Sequence, residues 1–181
     1  MAIRRKLIRE VVQSLLKKHK VQRGEVPVET IVKSLGIIIK IDEVNENLSG
    51  FVARKKGSQR AIIGVNKAHH PNRRRFTIAH ELGHYLLHEG EQVHLDTSPD
   101  SFTINLRNSE SSKGENNDER EANLFAAELL MPAELVREEL ESVGDIELLG
   151  SSEFLEKLAK KYKVSVQALT FRLAYLGYIK L

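Results

Sequence analysis

Residues 72–88, NRRRFTIAHELGHYLLH, hold the spacing on which the reading of this chain turns: His80, Glu81 and His84 form H-E-x-x-H. In a helix, positions i and i+4 lie about 40° apart around the axis, with Cβ atoms roughly 6 Å apart. His80 and His84 can then offer both imidazoles to one ion at the ~2.0–2.1 Å at which zinc takes histidine nitrogen. Glu81, beside His80, is placed to act as general base on water activated by that ion. The flanks predict a helix, because Phe76, Ile78, Ala79, Leu82, Gly83, Leu86 and Leu87 put apolar positions on more than one side. A helix of that kind is buried, so its polar side chains need partners. Carbonyls or carboxylates alone could serve; a second helix farther along the chain favours a metal.

The remaining composition narrows the classes. A chain of 181 residues suits one main α+β domain, here residues 1–150, with a helical pair at 151–181 packed on it. With 41% hydrophobic and 29% charged residues it is an ordinary globular chain, not a disordered one. Having no cysteine, it can carry no disulfide, thiolate ligand or thiol nucleophile. The basic amino terminus is followed by no uninterrupted apolar run, so neither a signal peptide nor a membrane span is expected, and the expected location is the cytoplasm. The net charge of +3 is unevenly spread. Residues 54–75 contain Arg54, Lys55, Lys56, Arg60, Lys67, Arg73, Arg74 and Arg75 without one acid. That block suits an acidic partner or nucleic acid, or simply a solvated face; no aromatic residue interleaves with it to stack on bases.

In chain order, residues 3–19 read as an amphipathic helix with Ile3, Leu7, Val11, Leu15 and Leu16 near one stripe. A short helix at 28–35 is closed by Gly36. Strands at 37–42, 49–54 and 60–65, separated by turn residues, predict a small three-stranded antiparallel meander. Its last strand, 60–65, is the expected edge, where an extended peptide could add by β-augmentation. Shorter β-like pieces follow at 93–96 and 102–106. Residues 107–118, RNSESSKGENND, read as a mobile loop that is either a lid or an insertion. Next comes EREANLFAAELLMP, 119–132, as a buried helix that Pro132 stops, restarting at Ala133–Glu141. The closing helices are 152–162 and 165–176, with Ser165 as N-cap and Gly177 as stop.

A catalytic zinc ion has three protein ligands and an open position. His88 follows His84 by only four residues along nearly the same face and reads as structural. A carboxylate is therefore the natural third ligand, and Glu119 and Glu121 are the candidates. Glu119 is preferred, since Asn123 lies one turn on along its face and can hydrogen-bond a ligand histidine. An acidic first turn that complements the helix dipole would explain either glutamate without a metal. For the oxyanion, Tyr85, His88, His94 and Arg107 are near in sequence, and none stands out.

HELGHYLLH followed by E-x-E-A-N-x-F-A-A-E-L-L-M-P resembles the ImmA/IrrE family of zinc metallo-endopeptidases, with similarity over roughly residues 28–181. The resemblance implies a zincin-like fold and a gluzincin-like site: His80 and His84 as ligands, Glu81 as catalytic acid and base, and the first glutamate of E-x-x-A-N, which is Glu119, as third ligand. It implies one Zn²⁺, with Mn²⁺ as the alternative ion, and a regulatory protease of a stress response or of transcription. The implied substrate is a separate helix-turn-helix repressor or antitoxin-like protein. The competing expectation is a latent or non-proteolytic regulator that binds DNA or protein through 152–176. Lys157, Lys160, Lys161 and Arg172 would then be exposed, although the apolar residues of that pair equally suit packing on the core.

Overall fold

Alternating and continuous apolar runs build one sheet, and their difference in pattern sets its order. In the computed structural model, which describes residues 2–43, 48–54, 61–88, 93–96, 115–143 and 151–180, the strands are β1 (Ile37–Asp42), β2 (Gly50–Arg54), β3 (Ala61–Asn66) and β4 (Val93–Asp96). The order across the sheet is β1-β3-β2-β4. β1 runs parallel to β3, pairing Ile37 with Ala61 and Ile39 with Ile63. β2 is antiparallel to both β3 and β4.

The α+β class therefore holds, while the three-stranded antiparallel meander is corrected to a mixed sheet of four strands. The reason lies in β3. All its residues but Ile62 are buried, the pattern of a strand covered on both faces and flanked on both sides. β1 buries only Ile37 and keeps Ile38 and Ile41 half-exposed, as an outer strand can. The expected edge at 60–65 is thus an inner strand. β1 and β4 are the outer ones among the described residues.

The helices frame this sheet. In α1 (Arg5–Lys18) the buried residues are Ile8, Val12 and Leu15, an i, i+4, i+7 stripe one position along from the expected one, and Leu7 is exposed. α2 (Val28–Ser34) stops at Gly36, whose φ of 76° is the left-handed conformation that glycine adopts without strain. α3 (Pro71–Leu87) starts with proline in its first turn and the His70 ring accepting from the Asn72 amide at 3.2 Å. α4 spans Glu115–Leu130, so Glu115–Asp118 are helical and not loop; residues 107–114 and the 102–106 piece lie outside the described residues. α5 (Ala133–Val143) follows Pro132, and α6 (Ser152–Tyr162) and α7 (Val166–Tyr175) close the chain. Ser151 and Ser165 accept the backbone N–H groups of Phe154 and Ala168 as N-caps.

Several cations expected at the surface are spent inside. Arg172 is fully buried, with its guanidinium bidentate to Glu128 of α4 at 3.1 and 2.7 Å and Nε donating to the Met131 carbonyl. Lys157, Lys160 and Lys161 do face solvent. Arg172 was misplaced because its acid lies 44 positions away in the chain. Arg75 is likewise buried, against Glu25 and Glu29 and the Val26 carbonyl. No described helix is long and apolar enough to cross a membrane.

Candidate metal centre

α3 and α4 cross closely because Gly83 lacks a side chain. A Cβ at Gly83 would lie 3.1 Å from the Ala122 Cα and 3.1 Å from the Phe125 ring. Their contact flanks Gly83 with His80 and His84 on one helix, and Ala122 with Glu119 and Asn123 on the other. All four polar side chains meet. The two histidine Nε2 atoms stand 3.0 Å apart. Glu119 brings one carboxylate oxygen to 3.1 Å from His84 Nε2 and the other to 3.4 Å from His80 Nε2.

Asn123 Oδ1 lies 3.0 Å from His80 Nδ1. An amide oxygen can only accept, so His80 donates from Nδ1 and keeps the lone pair on Nε2 free for the shared point. Two imidazole nitrogens facing each other beside a carboxylate call for a shared proton or a cation. Two histidines and one carboxylate are the donor set of a catalytic zinc site that leaves a position open. The ligand atoms of His80, His84 and Glu119 lie within 4.8 Å of one another, so the residues fit a divalent ion.

Glu81 is fully buried, with one carboxylate oxygen close to β2. One of its oxygens lies 3.5 Å from where a Cβ on Gly50 would stand, and that Cβ would also strike Thr77. Gly50 thus lets β2 pass against the turn of α3 that carries Glu81. Gly50 pairs with Asp96 of β4, which puts the outer strand β4 next beyond the part of β2 that meets the Glu81 turn.

Glu121, the other candidate ligand, is placed elsewhere. Its buried carboxylate takes the Arg4 backbone N–H at 2.7 Å and the Arg4 side chain at 2.6–3.1 Å. Burial works to raise its pKa, but the Arg4 hydrogen bonds and charge, aided by His88, hold it below the usual carboxylate range. His88 is a neighbour and not a fourth ligand of this group: its ring meets Asp118 Oδ1 at 3.3 Å and the Asp118 carbonyl at 3.2 Å. Burial, the largest influence, keeps its pKa below the ordinary histidine value despite Asp118 and Glu121.

Two further residues serve the end of α3: Arg4, which the sequence did not mark, and Arg54, read there only as part of the basic block. Arg54 Nη2 donates to the carbonyls of His84, Tyr85 and His88 at 3.2, 2.5 and 2.9 Å, and its guanidinium lies over the Tyr85 ring. Arg4 donates to the Leu87 carbonyl at 3.0 Å. Both put positive charge at the negative end of the helix dipole, where the cap residue is His88. Of the oxyanion candidates, Tyr85 is therefore packed under Arg54 and His88 is tied to Asp118. Arg107 and the His94 side chain lie outside the described residues.

Residues 33–174 match the family described as the IrrE N-terminal-like domain, a peptidase family. The chain is 33% identical over 112 residues to the Radiation response metalloprotease IrrE of Deinococcus radiodurans. That match takes in 62% of this chain and only 30% of the Deinococcus protein. A Mycobacterium tuberculosis transcriptional regulator of known structure superposes on 92% of this chain, and over 46% of its own, with a TM-score of 0.59. At 17% identity that likeness is one of fold.

Proposed function

The chain belongs to the IrrE N-terminal-like family of peptidases, and on that footing we propose that it is a metal-dependent endopeptidase. Its ligands are His80, His84 and Glu119, and Glu81 is its general base and acid. The observation that carries this reading is that two histidine Nε2 atoms stand 3.0 Å apart, each with an oxygen of Glu119 at 3.1 or 3.4 Å. A divalent ion held there, zinc or manganese, would polarise the scissile carbonyl and acidify a water molecule.

Glu81 takes the proton as the water oxygen bonds to the carbonyl carbon. It gives that proton to the amide nitrogen as the C–N bond breaks. Asn123 keeps the His80 ring in the orientation and tautomer that this requires. An extended substrate segment would add to the outer edge of β4, the strand that pairs with Gly50 beside Glu81, in place of the 60–65 edge.

The substrate class we propose is a cytosolic regulatory protein of helix-turn-helix repressor or antitoxin type, cleaved in a stress response. The radiation-response metalloprotease to which the chain is similar supports that reading. The test is metal analysis of the purified protein beside cleavage of such a repressor by wild type and by Glu81→Gln. Stoichiometric metal in both, with cleavage by the wild type alone, is expected. Equal cleavage by both would sink the mechanism. A second reading keeps the metal and assigns function to binding through α6 and α7. The exposed Lys157, Lys160 and Lys161 favour it, and salt-dependent retention on DNA would distinguish it.

A further inference from the structure

We propose that Arg4 is a positioning residue for the metal centre, because its one guanidinium bridges the two helices that carry the ligands. This rests on the metal-site reading above. Arg4 lies outside the residues that match the family, 33–174. It stands just before α1, yet its contacts fall on the last turn of α3 and an early turn of α4.

On α4, Arg4 closes on Glu121 with its backbone N–H, Nε and Nη2. On α3, the same Nη2 reaches the Leu87 carbonyl at 3.0 Å and His88 Nδ1 at 3.4 Å. Leu87 is one turn beyond His84, and Glu121 is two residues beyond Glu119. Glu121 sits about 200° around α4 from Glu119, so the clamp grips the back of the ligand turn and leaves its front to the histidines.

The two ligand helices pack along one another and come close at Gly83 and Ala122. Any shift of one helix along or about the other would move Glu119 against His84. Arg4 adds a polar tie between them at Leu87, four residues and roughly 6 Å beyond Gly83 along α3. Metal sites tolerate misplacement of only about 0.5 Å, so a tie that fixes the last turn of α3 against the ligand turn of α4 matters to affinity. The arrangement also fixes the role of Glu121: its side chain is 4% exposed and its charge is answered by Arg4.

The test compares the full chain with Arg4→Ala, Arg4→Lys and a control, Arg9→Ala. Arg9 also links α1 to α4, through Glu128 at 3.8 Å, but far from the ligands. Zn²⁺ affinity is measured by competition with a chromophoric chelator, and ligand geometry by the visible spectrum of bound Co²⁺. Arg4→Ala is expected to weaken Zn²⁺ binding on the order of tenfold or more and to alter the Co²⁺ bands. Arg4→Lys keeps a charge near Glu121 but cannot fork between two helices, so its affinity should stay reduced. Arg9→Ala should bind Zn²⁺ as wild type does, whatever its melting temperature. Wild-type affinity and an unchanged Co²⁺ spectrum in Arg4→Ala, or in Arg4→Lys should the alanine variant not fold, would overturn the proposal. Failure of the wild type itself to bind one Zn²⁺ would instead remove the metal-site reading.

Discussion

Gly83 packs directly on Ala122: a Cβ at the glycine would stand 3.1 Å from the Ala122 Cα and 3.3 Å from its carbonyl oxygen. Two effects of Gly83→Ala compete. Alanine favours the helix by about 1 kcal/mol, while overpacking a tight contact costs about 1–3 kcal/mol. The obstacle is backbone and cannot rotate aside, so overpacking should win. A net loss of up to about 2 kcal/mol in urea denaturation is expected. Weaker Zn²⁺ binding should accompany it, since α4 must retreat with Glu119. Unchanged stability and affinity would show that the crossing has slack.

Asn123 fixes the His80 ring through the 3.0 Å contact at Nδ1. Asn123→Ala should lower Zn²⁺ affinity by about 10- to 100-fold, read by chelator competition. Asn123→Asp, which keeps an acceptor at the same place, should recover most of it. Equal losses in the two variants would refute the orienting role.

Arg172 and Glu128 form a bidentate pair in the interior. Removing Arg172 leaves the buried Glu128 with only the half-exposed Arg9 at 3.8 Å, so Arg172→Leu should cost up to about 3–5 kcal/mol. Adding Glu128→Leu should restore a large part of that, because the paired charges had both been removed from water. Denaturant titration of the two variants decides the matter, and a double variant no more stable than the single one would contradict it.

Tyr162 is fully buried, and its hydroxyl has no hydrogen-bond partner among the described residues. Burial, helped by Glu139 and Glu138, pushes its pKa well above the ordinary 10.0. The folded state therefore holds this proton at a pH where the unfolded chain has lost it. The associated stability is complete below pH 10 and falls as pH rises beyond it. Tyr162→Phe should flatten that alkaline decline and change stability at pH 7 by less than about 1 kcal/mol, as no hydrogen bond is lost. Thermal melts from pH 7 to 11 would show it, and parallel declines in the two proteins would exclude it.

Local rules carried much of the structure. The spacing of His80 and His84, and of Glu119 and Asn123, follows from the pitch of a helix, and the caps at Ser165 and Gly177 follow from backbone chemistry. Strand positions were legible for the same reason, but strand order was not. Whether β1 pairs with β2 or with β3 depends on which strand is covered on both sides, and no window of a few residues contains that. The arginines show the limit most clearly. Arg4, Arg54 and Arg172 look alike in sequence to any solvated cation, and the partner of Arg4 is 117 positions away. The loop at 107–118 misled at its end because ENND is polar, although Glu115–Asp118 continue α4 by a turn.

The close of α3 has one more implication. Its final carbonyls are satisfied by guanidinium groups arriving from before α1 and from β2, so the turn that holds His84 borrows its ending from elsewhere in the chain. A synthetic peptide of residues 71–88, or a graft of that segment into another scaffold, would carry the histidines but leave this end frayed. The motif is not a portable cassette, and it takes its working shape only within its whole surroundings.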